Sequence, residues 1–157
     1  MLKVSNRTSL YISMGIAVVF FGLCVAGLFV LPSLVPLLIS LPDRIGPRDT
    51  ITPFGRGLVM GEAYLVLGTF FAADLRLMAL LRRVQQGKVF TPESVALIRE
   101  ISWCCMALCV LFGCLGYYFT LSWLVSFLGL FLGLCLRVTK NVIAEATEIK
   151  NENDLTI

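Results

Sequence analysis

The chain has 157 residues, of which 58% are hydrophobic and only 15% are charged, against roughly 45–50% and 25% in soluble globular domains. Ten acidic and thirteen basic residues are too few to cover the surface of a soluble domain of this length. The chain contains no histidine, which removes the commonest general base and the commonest metal ligand. Composition therefore excludes an ordinary soluble domain and favours a protein embedded in lipid.

The first long apolar block, residues 10–31, contains no charged residue. As a helix it is about 33 Å long, which is enough to cross a hydrocarbon core of about 30 Å. Pro32 and Pro36 follow it, and because proline lacks a backbone donor we expect the chain to leave the helix irregularly there. A cleaved signal peptide is the competing interpretation, but the apolar stretch is too long and no small-x-small cleavage site follows it. The block is predicted to be a membrane anchor.

Three further apolar blocks predict three more membrane crossings. A polar loop with three prolines and two glycines separates the first crossing from the second. The predicted segments are an outer loop at 42–56, crossings at 57–81, 101–121 and 122–138, a connector at 82–100 and a tail at 139–157. Almost nothing separates the last two crossings, so they should form a tight antiparallel hairpin. The predicted fold is all-α: a single-domain, integral membrane four-helix bundle with a cytoplasmic helical extension.

The basic residues predict the orientation of the chain. Three of the thirteen fall in the outer loop, and the other ten lie at the N-terminus, around the connector and in the tail. The positive-inside rule therefore places both termini and the connector in the cytoplasm. No array of basic and aromatic residues suited to nucleic acid accompanies these charges, so direct nucleic-acid binding is not expected.

The connector carries the clearest local signal. Gly87 is placed to end the second helix. Thr91 followed by Pro92 and Glu93 is typical of a helix N-terminus, with the threonine as N-cap and the glutamate in the first turn. The segment is interpreted either as a well-made connector between helices or as a docking site for a partner. In the second interpretation Phe90, Thr91 and Glu93 are the contact candidates.

Apolar residues recur along the tail at helical spacing, at Val142, Ala146 and Ile149. The fourth transmembrane helix is therefore expected to continue into the cytoplasm as an amphipathic rod that ends within 151–154. This stripe either packs on the protein's own connector or binds a partner, and both interpretations stay open. The remaining contact candidates lie beyond the rod, at Leu155 and Ile157.

Two acidic residues, Glu62 and Asp74, lie inside the predicted spans. Glu62 is one turn in from the outer interface, whereas Asp74 is close to the cytoplasmic face, where a carboxylate usually needs a partner. The predicted partners in an ion pair are Arg99 and Arg137, at the cytoplasmic ends of the third and fourth helices. A proton relay or an ion site is the alternative.

The six cysteines all lie in or at the ends of apolar blocks, where they act as small hydrophobes. Cys105 and Cys109, four residues apart, are the pair that could hold a soft metal such as copper(I). Because no CxxC pair, histidine or acid accompanies them, we predict no metal and no other cofactor. The sequence also shows no hydrolytic triad or phosphate loop, so no enzymatic activity is expected.

Two motifs resemble a known family. The run GKVFTPES at 87–94, followed by LIREI at 97–101, resembles the central signature of the bacterial membrane family known as domain of unknown function 2975, and NENDLTI at 151–157 is similar to that family's C-terminus. The resemblance implies a four-helix inner-membrane protein of unestablished activity, often encoded beside a small helix-turn-helix transcriptional regulator. It implies no catalytic residue.

The leading hypothesis is a regulatory or interaction protein of the bacterial inner membrane. Its connector and tail would contact a soluble cytoplasmic partner, and the resemblance favours a small helix-turn-helix regulator in that role. One alternative is a small transporter or pore subunit, which would need to form a homo-oligomer to line a path. Another is an immunity-type protein that blocks a membrane-active toxin through the outer loop.

Overall fold

Four α-helices make up almost all of the computed structural model, which describes residues 6–40 and 52–154. They are α1 (Asn6–Ser40), α2 (Pro53–Gln85), α3 (Pro92–Leu115) and α4 (Leu121–Asp154). No strand occurs in the two described ranges, and each of the four helices is long and apolar enough to cross a membrane. The predicted all-α fold with four apolar helices is confirmed.

Helix α1 continues through Pro32 and Pro36 to its end at Ser40. The expectation of an irregular exit at the prolines is therefore wrong. Each proline removes one backbone hydrogen bond, but a transmembrane helix tolerates this loss where neighbouring helices hold the segment. Here Val35, which lies between the two prolines, is buried in a cluster with Val59 of α2. Packing across the two helices thus keeps the end of α1 helical.

Helix α2 begins four residues before the predicted crossing. Thr52 is its N-cap, because its side chain accepts a hydrogen bond from the backbone N–H of Gly55 at 3.2 Å, and Pro53 takes the first helical turn. This Thr-Pro pair repeats the signal that predicts the start of α3, so the sequence held the information for both helix starts. The rest of the predicted outer loop, 42–51, lies outside the described residues.

The last two helices form the predicted tight hairpin, with residues 116–120 as the turn between α3 and α4. Helix α3 already begins at Pro92, so the second half of the predicted connector belongs to the helix that contains the third crossing. Helix α4 runs on to Asp154. The prediction of a continuous fourth helix that ends within 151–154 is confirmed.

The helices pack in chain order, α1 on α2, α2 on α3 and α3 on α4. Within residues 6–40 and 52–154 no other pair of helices has close backbone contact. The bundle is therefore an open row, in which α1 and α4 form the edges. Many large hydrophobic side chains point outward along all four helices, as suits a surface whose solvent is the hydrocarbon of a bilayer.

The closest approach in the row is between α3 and α4. The buried Ser102 donates a hydrogen bond through Oγ to the backbone oxygen of Gly133 at 2.9 Å, and Ser126 donates likewise to Cys109 at 2.7 Å. Between these two bonds a Cβ added to Gly129 would lie 3.4 Å from backbone atoms of α3. Small residues and cross-helix hydroxyl bonds are the means by which helices associate in lipid.

We therefore expect a larger side chain at Gly129 to separate α3 from α4. Gly129→Leu should cost about 1–3 kcal/mol of stability, because the atoms that face it belong to the backbone of α3 and cannot turn aside. The measurement is the thermal unfolding temperature in detergent. Gly68→Leu on α2 is the control, since no atom lies within 4 Å of an added Cβ there. Equal unfolding temperatures for the two variants would contradict the packing.

Candidate functional site

The turn between α2 and α3 brings together most of the candidate contact residues. Gly87 has a φ of +73°, the left-handed conformation that glycine adopts without strain. The backbone N–H of Lys88 then donates to the oxygen of Arg83 at 3.0 Å, which satisfies one of the last carbonyls of α2. The prediction that Gly87 ends the second helix is confirmed.

The start of α3 is tied to this turn through two hydroxyl groups. Thr91 is the N-cap, as predicted, because its Oγ1 accepts from the backbone N–H of Ser94 at 3.3 Å. The Ser94 hydroxyl donates to the backbone oxygen of Lys88 at 2.9 Å and lies 3.0 Å from Thr91 Oγ1. Ser94 is fully buried. Sequence reasoning missed this residue, although a hydroxyl three positions after an N-cap is a recognisable partner for the preceding loop.

Two ion pairs connect α2 with α3 on the same side of the molecule. Arg83 Nη1 lies 3.5 Å from Glu93 Oε2 across the turn, and Arg76 is paired with Glu100 two helical turns further along α3. All four side chains are partly exposed, so each pair contributes at most about 1 kcal/mol. Glu93, predicted as a partner contact, thus already has an intramolecular partner.

Some of the predicted partner-contact residues are exposed, and others are already engaged in contacts within the chain. Phe90 is 45% exposed, Val142 is 60% exposed and Ile149 is 54% exposed, whereas Ala146 is half-buried. Thr91 is occupied by the N-cap hydrogen bond described above. Two further candidates, Leu155 and Ile157, lie outside the described residues.

The tail packs through a different face from the predicted stripe. Thr147 is 5% exposed, and its Oγ1 donates to the backbone oxygen of Ile143 at 2.7 Å. The antiparallel register set by the two serine bonds of the α3–α4 hairpin places the start of α3, Pro92, level with Ile143, so Thr147 lies one helical turn beyond the start of α3. Thr147 therefore belongs to the buried face of this part of α4. Val142 and Ile149 stay outward, and the interpretation that the stripe itself packs on the connector is wrong for these two residues.

Asp74 does not form the predicted ion pair. It is 4% exposed, and its Oδ2 has no hydrogen-bond partner among the described residues. Arg137 instead lies over the ring of Trp103, with its guanidinium carbon 4.6 Å from the ring centroid, and Arg99 is exposed. The open row explains this for Arg137, because α4 has no close backbone contact with α2. Arg99 is on α3, which packs on α2, but its exposed side chain forms no ion pair with Asp74.

A groove opens at the opposite end of the α2–α3 interface. It has a volume of about 540 Å³, and Glu62 lies in its wall together with Tyr117 and Tyr118 from the hairpin turn. Glu62 is half-buried. All six cysteines are free thiols, and the described part of the chain contains no group of three or more potential metal ligands.

Four apolar helices, each able to cross a bilayer and joined where described by short capped turns, define a multi-pass α-helical membrane protein. The chain belongs to the family described as Protein of unknown function (DUF2975), whose profile matches residues 41–157. The match confirms the family suspected from the motifs. It begins directly after α1 and includes the other three helices, the connector and the tail. No curated protein and no solved structure matches the chain.

The role of Ser94 can be tested by proteolysis of the connector. Ser94→Ala removes the hydrogen bond to Lys88, which should cost about 1 kcal/mol and loosen the turn. We expect trypsin to cleave after Lys88 several-fold faster in this variant, as measured by gel electrophoresis of timed digests. Ser40→Ala is the control, because that exposed hydroxyl bonds only within its own helix. Equal cleavage rates in Ser94→Ala and the unaltered protein would show that Ser94 does not hold the turn.

Proposed function

We propose that the protein is a regulatory or interaction protein of the bacterial inner membrane that binds a soluble cytoplasmic partner. Its binding surface would be the connector and the tail, and the favoured partner is a small helix-turn-helix transcriptional regulator. The observation that carries the proposal is the uncovered apolar stripe of α4. Val142 and Ile149 are exposed although Thr147 on the same helix is buried.

The position of Ile149, at the far end of the stripe, argues against lipid as its cover. A crossing of about 20 residues that starts at Leu121 ends near residue 141. Ile149 then lies about 12 Å beyond the hydrocarbon. An exposed apolar side chain at that height meets water unless another protein covers it.

The spacing of the stripe suggests how a partner would bind. Val142, Ala146 and Ile149 follow the four-and-three spacing of an amphipathic helix that lies in the groove of another protein. Phe90 adds an exposed aromatic ring from the connector, two residues before the start of α3. Aromatic and aliphatic anchors of this kind carry most of the energy of protein interfaces.

The proposal requires the connector and the tail to lie in the cytoplasm. Ten of the thirteen basic residues lie at the N-terminus, around the connector and in the tail, and this bias supports a cytoplasmic position for these segments. A reporter active only in the cytoplasm should therefore work when fused after Ile157 or inserted at Gln86, and should fail at Asp49. Enzyme activity of each fusion in whole cells is the measurement. Activity at Asp49 would show that the orientation is reversed.

Binding can be tested with a purified helix-turn-helix regulator encoded beside this chain. Val142→Asp and Ile149→Asp together should lower its affinity for the detergent-solubilised protein by about tenfold or more, because each buries a charge against an apolar partner. Asn141→Asp is the matched control: it adds a charge to an exposed position beside the stripe. Affinity is measured by biolayer interferometry, and thermal unfolding verifies that all variants are folded.

Two outcomes would count against the proposal. If the stripe variants bind as tightly as Asn141→Asp, the stripe is not the binding surface. If the unaltered protein does not bind the regulator, that class of partner is wrong. Tighter binding by the control than by the stripe variants, with all proteins equally stable, would support both the surface and the partner.

A further inference from the structure

A second groove runs along α1 and α2 in the half of the molecule nearer the connector. It has a volume of about 500 Å³, within the range of pockets that bind small organic molecules. Its walls come from three helices, α1, α2 and the start of the apolar part of α3. The residues that matter here are Ser13, Ala17, Phe20, Phe70, Asp74 and Ile101.

Asp74 is the polar centre of this groove and lacks a partner. The carboxylate is almost fully buried, with one oxygen unbonded. The neighbouring helix α1 has no charged residue from Thr8 to Ser40, and Arg76 on α2 is paired with Glu100. No described side chain forms an ion pair with Asp74. A buried carboxylate without a counter-charge is costly, and a cation from outside would relieve that cost.

The walls of the groove determine which kind of cation fits. A metal ion needs several oxygen ligands, but beside Asp74 only Ser13 contributes a polar side chain to this lining. The remaining walls are hydrocarbon. They include the edge-to-face ring pair of Phe20 and Phe70, whose centroids are 6.0 Å apart. Aromatic rings attract organic cations through their faces.

We propose that this groove binds an organic cation with an apolar body, held by its charge against Asp74 and by its body against the phenylalanine rings. Such a molecule can enter sideways from the bilayer, because Phe20, at the wall of the groove, is partly exposed. The same chemistry is present in a free lipophilic amine or quaternary ammonium compound and in a lipid with a cationic headgroup. The site is separate from the connector and tail, so it does not depend on a soluble partner.

The test uses the full chain in nonionic detergent and two probes of similar shape and opposite charge, tetraphenylphosphonium and tetraphenylborate. We expect saturable binding of the cation and none of the anion in isothermal titration calorimetry. Asp74→Asn should weaken cation binding by about tenfold or more, because the buried counter-charge is lost. Asp74→Glu, which keeps the carboxylate, should retain most of the affinity for the cation. Glu62→Gln, in the separate outer groove, should leave the affinity unchanged.

A second variant tests the groove with the charge intact. Phe20→Leu should weaken binding by about threefold through loss of the aromatic face. Phe29→Leu is its control, because Phe29 lies on α1 outside this groove and is exposed. Asp74→Asn should unfold at the same or a higher temperature than the unaltered protein, since it removes an unpaired buried charge. If Asp74→Asn does not fold, the comparison of Phe20→Leu with Phe29→Leu still tests whether the cation binds in this groove.

Undiminished binding in Asp74→Asn, or equal binding of tetraphenylborate, would overturn the proposal. So would equal affinities in Phe20→Leu and Phe29→Leu. A last arm identifies the source of the cation, with the titration repeated in nanodiscs of zwitterionic lipid with and without lysyl-phosphatidylglycerol. Competition by that lipid would support a lipid headgroup as the occupant, and no competition would support a free organic cation.

Discussion

Inside a bilayer each backbone amide must find its hydrogen bond within its own helix, because hydrocarbon offers no alternative partner. This constraint explains why the described chain is almost entirely helical and why α1 stays helical through two prolines. It also concentrates polar side chains at the ends of helices, where backbone groups are left unpaired. Thr52, Thr91 and Gly87 are the residues that meet this need in the described turns.

Lipid also changes what holds the helices to each other. Burial of apolar surface drives little association when the solvent is itself apolar, so close backbone contact and hydroxyl bonds become important. The α3–α4 interface uses both, through Gly129, Ser102 and Ser126. The α1–α2 interface contains aromatic ring pairs instead, among them the tilted pair of Phe21 and Phe71, whose centroids are 4.9 Å apart. These two interfaces therefore differ in chemistry although both join antiparallel neighbours.

The sequence predicted local features well and tertiary ones poorly. The stop at Gly87 and the cap at Thr91 depend on a few adjacent residues, and both are confirmed. Arg137 was wrongly assigned to Asp74 because that required knowing which helices are neighbours, and α4 has no close backbone contact with α2. Arg99 is on the neighbouring α3, but a sequence pattern does not show which way its side chain points. Hydrophobic spacing likewise predicted a helical tail but could not show that Thr147, a polar residue, marks its packed face.

In the open row, the α2–α3 interface is the one place, within the described ranges, where the α1–α2 pair has close backbone contact with the α3–α4 hairpin. The two ends of this interface are held by different kinds of interaction. Toward the connector it is fastened by the ion pairs of Arg76 and Arg83, and toward the hairpin turn by the apolar contact of Val59 with Leu115. Dissolved salt screens exposed charges and leaves hydrocarbon contacts in place. Raising the ionic strength therefore weakens the connector end of the α2–α3 interface and leaves the end at the hairpin turn unchanged.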